Sequence, residues 1–118
     1  MPRLDLDGFL EPTEIGVRLA EEIALLEPFG SGNPEPLFAS ERMTLLQKRR
    51  VGGSGSHLKL LVRADGVGPT DCIGFGLGDF EAELPVGYDI DLCYNLRVNE
   101  YNGRKSPQIM IRDIRTVG

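Results

Sequence analysis

Residues 25–38 read LLEPFGSGNPEPLF and exclude regular secondary structure from this part of the chain. Their three prolines fix φ and remove backbone donors, while their two glycines open left-handed backbone conformations. Because Pro28 disfavours helical geometry at Glu27, a helix that precedes the segment should end there. Phe29 and Phe38 bracket the segment, which a flexible Gly/Ser linker would not need. We therefore predict a strap over residues 27–38 that these two rings anchor on a core.

Upstream of the strap, the sequence predicts one amphipathic helix at about residues 14–26. Thr13 is suited to the N-cap, and Glu14 lies in the first turn, where the helix dipole favours a negative charge. The apolar positions recur at helical spacing, at Ile15, Leu19, Ile23 and Leu26. This stripe must be covered, either by the domain that follows or by a domain outside this chain. In residues 1–12, Leu4, Leu6, Phe9 and Leu10 are apolar without a core of their own. These residues either pack back on this domain or belong to an upstream one.

From residue 41 the hydrophobic period changes to two, which is typical of strands. Five strands are predicted, at about residues 43–51, 57–63, 71–76, 88–98 and 108–114. Asn102-Gly103 is the preferred dipeptide of a tight I′ hairpin turn and joins the last two strands. An acidic connection with a short helical turn around residues 79–81 joins the third strand to the fourth.

This order of elements predicts an all-β fold with one N-terminal helix, in which five antiparallel strands form an OB-fold-like barrel. An SH3-like barrel or an open sheet also fits the periodicity. The predicted division of the chain is an N-terminal segment over residues 1–40 and the barrel over residues 41–118. Gly74 and Gly76 indicate that the third strand bends or bulges, as strands of small barrels do.

The residue types argue against a self-contained catalyst. His57 is the single histidine, and no HxxH, DHH or HExxH pattern is present. A hydrolytic metal site of Asp and His usually needs several ligands in close spacing. Neither a Ser-His-Asp or Cys-His arrangement nor a GxxxxGK[ST] loop is found. We therefore predict that this chain is not an enzyme and holds no metal or cofactor.

Cysteine usage and hydropathy point to a cytoplasmic protein. Cys72 and Cys93 lack CxxC spacing and are predicted to be reduced thiols, with a disulfide between them as the alternative. No apolar run approaches the length of a membrane span, and no signal peptide is visible. We expect no membrane partner.

Charge is segregated along the chain, so the net charge of −5 is a poor guide to partners. Residues 42–63 contain six bases and no acid, and residues 65–91 contain seven acids and neither lysine nor arginine. The basic part favours an anionic partner. The acidic part would repel nucleic acid, so we expect it to lie away from any binding groove.

Two loops and the strand between them are the candidate nucleic-acid contacts. The loop between the first two strands and the hairpin between the last two usually grip nucleic acid in OB-folds. In the first loop, bases attract phosphate, while glycine and serine offer backbone and hydroxyl donors. In the hairpin, an aromatic ring can stack on a nucleobase, and the two basic residues beside it can contact phosphate. The candidates are Lys48, Arg49, Arg50, Gly53, Ser54, His57, Lys59, Arg63, Tyr101, Arg104 and Lys105.

Each of these candidates also has a purely structural interpretation. The first loop is equally a solvated strand end beside a flexible turn, and Arg97 and Arg112 are better explained as ordinary exposed side chains. Phe75, Tyr88 and Tyr94 fall on predicted inward faces, which leaves Tyr101 as the exposed stacking platform. Since sequence-independent single-strand binders offer several such platforms, we expect weak binding dominated by electrostatics.

Five segments in order resemble the C-terminal OB-fold domain of the RecJ family of bacterial single-strand-DNA-specific exonucleases. The strap motif LEPFGxGNPEPxF is followed by HLKL at 57–60, IGFG at 73–76, NEYNG at 99–103 and QIMIRDI at 108–114. The resemblance covers roughly residues 25–115. The family's catalytic motifs, which are rich in Asp and His and bind divalent metal, have no counterpart here.

The resemblance implies a single-stranded-DNA-binding accessory domain of a 5′-to-3′ exonuclease. It would guide the strand to a Mn²⁺- or Mg²⁺-dependent active site outside this chain, in DNA repair and recombination in the cytoplasm. The alternative is a structural docking domain that contacts the catalytic domains or a partner such as single-strand binding protein.

Overall fold

Five strands close into a barrel in the computed structural model, which describes residues 6–64, 66 and 68–116. A short strand, β1 (Gly8–Phe9), pairs in parallel with the start of the first barrel strand. The barrel strands are β2 (Phe38–Val51), β3 (His57–Arg63), β4 (Thr70–Gly74), β5 (Asp89–Tyr101) and β6 (Arg104–Thr116). Their order is β2-β3-β4-β6-β5, and β5 returns to β2.

This closed order confirms the OB-fold-like barrel of five strands. Four of the five pairings are antiparallel, but β4 and β6 run parallel, so the barrel is mixed rather than wholly antiparallel. The sequence period cannot show this, because inward and outward positions alternate in the same way in both kinds of pairing.

β2 reaches both of its barrel neighbours because it bends. Its first half pairs with β5 and its second half with β3. The register shifts between Ser40 and Met43 and again between Leu45 and Gln47, and Arg42 adopts a φ of 58° at the first irregularity. Such bulges increase local twist and let one strand turn a barrel corner.

The core is the inner face of the barrel, as the period of two predicts for β3 and most of β5. Fully buried side chains come from all five barrel strands, and the largest are Tyr94, Met43, Leu45, Leu58, Leu60, Ile90, Leu92, Leu96 and Ile109. Both cysteines are free thiols, as predicted. Burial raises the pKa of the Cys72 thiol.

The predicted inward faces of Ile73, Phe75 and Tyr88 are wrong. Cys72 and Gly74 face inward in β4, so that Ile73 lies on the outer face and Phe75 is 61% exposed. A Cβ added to Gly74 would lie 2.8 Å from the Leu77 side chain, which shows that the space inside Gly74 is already filled. Tyr88 precedes β5 in a bend and is 67% exposed.

The N-terminal helix is shorter than predicted and starts later. A 3-10 turn covers Pro12–Glu14, and the α-helix, α1, covers Val17–Ala24. Gly16, rather than Thr13, is the N-cap, and it offers no side chain for capping. Ala20 and Ile23 are buried in the core cluster, and α1 packs against β5 and β6. The barrel of this chain therefore covers Ile15, Leu19 and Ile23 of the predicted stripe, whereas Leu26 is 53% exposed.

The strap lies along β5, and its two phenylalanines pack against the core as predicted. Asn95 Nδ2 donates to the Pro36 carbonyl at 2.9 Å, and Arg97 makes a bidentate contact with Glu35 at 2.8 and 3.0 Å. The hydrogen bond to Glu35 raises the pKa of Arg97. The strap thus occupies the outer surface of β5.

Residues 6–10 pack back on the barrel through polar contacts. The Ser40 hydroxyl donates to the Leu10 carbonyl at 2.6 Å, and the Tyr94 and Ser40 hydroxyl oxygens are 2.7 Å apart. Because the Ser40 proton is already used, the Tyr94 hydroxyl must be the donor to Ser40 Oγ. Residues 1–5 lie outside the described residues.

Alkaline pH is expected to destabilise the fold through Tyr94. Burial raises the pKa of Tyr94 from 10.0 to about 12. Between these values the unfolded chain loses the phenol proton while the folded chain keeps it, so the free energy of unfolding falls by about 1.4 kcal/mol per pH unit. Tyr94→Phe should lack this loss, although it removes a hydrogen bond worth about 1 kcal/mol at neutral pH.

Urea unfolding at neutral pH and above pH 10 measures this difference. The stability gap between the unchanged chain and Tyr94→Phe should shrink as the pH rises. A gap that stays constant would contradict the assignment.

Among the residues that the structure describes, no helix is long and apolar enough to cross a membrane.

Candidate nucleic-acid interface

The outer surface of β3 and β4, with the adjoining parts of β2 and β6, forms one continuous sheet surface, which we call the β3–β4 face. Across it, Arg49 pairs with Lys59, Lys59 with Ile73, and Ile73 with Met110. The neighbouring row across the same four strands is formed by Gln47, Leu61, Asp71 and Gln108. A shallow groove lies between β2 and β3, lined in part by Gln47, Arg49, Lys59 and Leu61. The face therefore combines cationic ends with half-buried apolar side chains.

Lys48 and Arg50 are not on this face, because alternation along β2 turns them the other way. Lys48 Nζ donates to the Glu81 carbonyl at 2.6 Å, and Arg50 lies 3.4 Å from the Asp79 carboxylate. Both partners belong to the 3-10 helix Gly78–Glu83, which confirms the predicted short helical turn. The run of three bases is therefore split, and Arg49 alone faces outward beside Lys59.

The loop between β2 and β3 packs against this 3-10 helix. The Gly78 amide donates to the Ser56 carbonyl at 2.9 Å, and the Gly78 Cα approaches so closely that a Cβ would overlap the Gly55 and Ser56 backbone. Gly53 and Ser54 form the exposed tip. The loop is thus held at its second half and open at its tip.

His57 and Phe75 form an aromatic pair at the end of the face next to this loop. Their ring centroids are 5.2 Å apart and the rings meet edge to face at 80°. The His57 Nδ1 atom accepts a hydrogen bond from the Gly76 amide at 2.9 Å. Gly76, with a φ of 75°, turns its amide back to the ring. Phe75 was not among the residues predicted for this face from the sequence, and neither were Leu61, Ile73 and Met110.

The β5–β6 hairpin has the predicted tight turn, with φ values of 51° at Asn102 and 75° at Gly103. Tyr101 pairs with Arg104, and it is 74% exposed. Arg104 lies on the same side of β6 as Gln108, and Gln108 pairs with Asp71 on the β3–β4 face. Tyr101 and Arg104 therefore extend that face at its other end.

Lys105 points to the opposite surface of the hairpin. Its Nζ lies 3.1 Å from a Glu21 carboxylate oxygen on α1, and this hydrogen bond raises the pKa of Lys105. Arg97 is held by the strap, and Arg112 Nη1 donates to the Asn95 amide oxygen at 3.0 Å. Arg97 and Arg112, interpreted from the sequence as ordinary exposed side chains, are therefore bound to Glu35 and Asn95.

The two candidate loops lie at opposite ends of the face. β3 starts at the β2–β3 loop, and β4 runs antiparallel to it, so β4 ends beside that loop. Because β6 is parallel to β4, its first residues and the hairpin tip lie at the far end. Arg63, the last residue of β3, is exposed at that far end and follows the alternation of Lys59. A ligand that touches both loops must cross the whole face.

Four bases on the face have no acidic partner within ion-pair distance among residues 6–64, 66 and 68–116. They are Arg49, Lys59, Arg63 and Arg104. The prediction that the acidic segment lies away from the groove is wrong for Asp71, which shares the outward alternation of Ile73. The described residues also contain no cluster of three or more His, Cys, Asp or Glu side chains that could hold a metal ion.

Comparison with known families accounts for most of the chain. The family model of the RecJ OB domain matches residues 6–113. The single-stranded-DNA-specific exonuclease RecJ of Salmonella typhimurium is 39% identical over 110 residues, and that of Bacillus subtilis is 32% identical over 113 residues. These alignments cover 92% and 96% of this chain, but only 18% and 14% of the two relatives.

A solved structure agrees with the sequence matches. The crystal structure of RecJ in complex with Mg²⁺ from Thermus thermophilus superposes with a TM-score of 0.65 at 31% identity. The superposition covers 96% of this chain and 17% of that chain. The chain therefore corresponds to one domain of much longer proteins, and that domain is not the catalytic one.

Proposed function

This chain belongs to the RecJ OB-domain family, and we propose that it binds single-stranded DNA on the β3–β4 face as an accessory domain of a RecJ-type exonuclease. The observation that carries the proposal is the set of four basic side chains on one face, Arg49, Lys59, Arg63 and Arg104, that have no ion-pair partner among the described residues. Elsewhere among the described residues, Arg18, Arg50, Arg97 and Lys105 are each paired with a carboxylate, and Lys48 and Arg112 donate to oxygens of Glu81 and Asn95. Arg42 and Arg115 also have no ion pair there, but they lie where β2 and β6 pair with β5 and do not belong to this group.

The spacing of charge and apolar surface suits a single strand. Basic side chains at both ends of the face attract phosphates. Between them, Leu61, Ile73 and Met110 offer half-buried apolar surface to unstacked bases. In a duplex the base faces are stacked on one another, so this apolar surface would have no partner there. The relatives that this chain matches carry the name single-stranded-DNA-specific exonuclease.

The proposed role is to guide the strand. The domain would hold the strand and lead it to an active site in another part of the longer protein, since this chain spans only 14% to 18% of the relatives that it matches. That active site would depend on Mn²⁺ or Mg²⁺, in a protein of bacterial DNA repair and recombination in the cytoplasm.

Binding is expected to weaken with salt in proportion to the phosphates contacted. Three to five contacts predict a slope of log K against log salt of about −2 to −3.5 for a single strand. Fluorescence anisotropy of a labelled strand of about 15 nucleotides, titrated at several salt concentrations, measures this slope. A slope near zero, or no saturable binding at low salt, would contradict the proposal.

A second candidate function is docking to the remaining domains or to a partner such as single-strand binding protein. The observation that favours it is the exposed apolar end of α1, where Leu25 is 84% exposed and Leu26 is also exposed. In that case Leu25→Ser and Leu26→Ser would release the partner and leave strand binding intact. Co-purification of the longer protein's separated parts distinguishes the two functions.

A further inference from the structure

We propose that Phe75, with His57 fixed behind it, is a stacking platform for one unpaired base of the bound strand. The inference rests on the proposed function and adds a site for a nucleobase to a site for phosphates. Three observations carry it: the exposure of Phe75, the contacts that hold His57, and the position of both rings relative to the basic side chains of the face.

Apart from its contact with His57, Phe75 has no packing role that explains its residue type. It is 61% exposed, directly after the last residue of β4, and the core is closed there by Leu77 beneath Gly74. Exposed phenylalanine buries little apolar area, so its contribution to folding is small. Its ring instead leaves surface open to a ligand.

His57 is held from two sides, which fixes the ring that Phe75 contacts. The Gly76 amide donates to Nδ1 at 2.9 Å, and Cδ2 approaches Gly52 so closely that a Cβ there would lie 2.9 Å away. Gly52 has a φ of 90°, which a side chain would strain. An edge-to-face pair at 5.2 Å then orients the Phe75 ring without covering both of its faces.

Of the four basic side chains on the face, Arg49 and Lys59 lie nearest to His57 along the strands. Val51 pairs with His57, and Arg49 pairs with Lys59 two residues along the strands. A nucleotide whose base stacks on Phe75 therefore has its neighbouring phosphate beside Arg49 and Lys59. Stacking of this kind tolerates every base, because each base offers a π-face.

Phe75→Ala tests the platform. We expect it to weaken binding of a short oligothymidylate by about 5- to 150-fold, the range found when one stacking side chain is removed. The salt slope should not change, since the phosphate contacts remain. Phe75→Trp should retain the affinity of the unchanged chain. Tyr88→Ala, which removes an equally exposed ring outside the face, is the matched control and should bind as the unchanged chain does.

A strand with one abasic nucleotide adds a readout that a merely structural role would not move. Scanning that nucleotide along a short oligomer should reveal a position that weakens binding to the unchanged chain but not to Phe75→Ala. Non-additivity at that position supports the platform. Equal losses in both proteins, or unchanged affinity in Phe75→Ala, would overturn it. Absence of binding by the unchanged chain would overturn the proposed function as well, so the two failures are distinguishable.

Discussion

Replacing Arg49 and Lys59 together with alanine is expected to weaken single-strand binding about 60-fold at a salt concentration of about 50 mM. The two side chains lie opposite one another at the centre of the basic part of the β3–β4 face. Each phosphate contact adds about 0.7 to the salt slope, which corresponds to about 8-fold in affinity between 1 M salt and this concentration. The slope should accordingly become less steep by about 1.4.

A double variant of equal charge separates local contacts from net charge. Arg18→Ala with Lys105→Ala also takes the net charge from −5 to −7, but both side chains pair with acids of α1, away from the face. Anisotropy titrations of both double variants should show a loss only for the first. Equal losses would mean that the overall field of the domain, and not the face, attracts the strand.

Gly78→Ala is expected to cost about 3 kcal/mol of folding stability, near the upper end for overpacking a close contact. The added Cβ would overlap the backbone of Gly55 and Ser56, and neither residue can yield as a flexible side chain does. The β2–β3 loop must then move off the 3-10 helix, which breaks the hydrogen bond from the Gly78 amide to Ser56. Urea unfolding gives the loss in free energy.

Gly53→Ala is the matched control in the same loop. A Cβ at Gly53 meets no atom within 4 Å, and its φ lies outside the left-handed region. This substitution should leave stability unchanged or raise it slightly, because alanine restricts the unfolded chain. If both variants unfold at the same urea concentration, the loop is not fixed by Gly78.

The number and approximate positions of the five barrel strands could be predicted because each level of the sequence agreed with them. The period of two in β3 and β5, the Asn102-Gly103 turn and the breaks at glycine and proline all indicate the same five strands. The strap was also predictable, since proline restricts the backbone locally and needs no tertiary information. The parallel pairing of β4 with β6 depends on closure of the barrel, which no local pattern records.

The phase of β4 shows why the remaining positions failed. Either Ile73 and Phe75 or Cys72 and Gly74 could face inward, and hydrophobicity favoured the first pair. Cys72 and Gly74 face inward in the structure, because Leu77 fills the volume inside Gly74 and leaves no room for a larger side chain. The same error hid Phe75 from the predicted interface. Asp71 was placed away from the interface for another reason, because its charge would repel nucleic acid.

The sorting of the bases could not be predicted from charge. Lys48, Arg49 and Arg50 are equivalent as a basic run, yet alternation along β2 gives them different partners. Arg104 and Lys105 are divided in the same way by the hairpin, with Lys105 facing Glu21. The positions of Glu21, Asp79 and Glu81 relative to these basic residues depend on the tertiary structure, which the charge pattern does not record.

The bend in β2 also limits how another chain can associate with this domain. Because successive halves of β2 pair with β5 and β3, the barrel closes, and none of its five strands has an edge that is unpaired along its whole length. A partner peptide cannot readily extend the sheet by adding a strand, which is a common mode of peptide recognition. Recognition must instead use side chains that project from the strands, so specificity can change by substitution without altering the backbone framework.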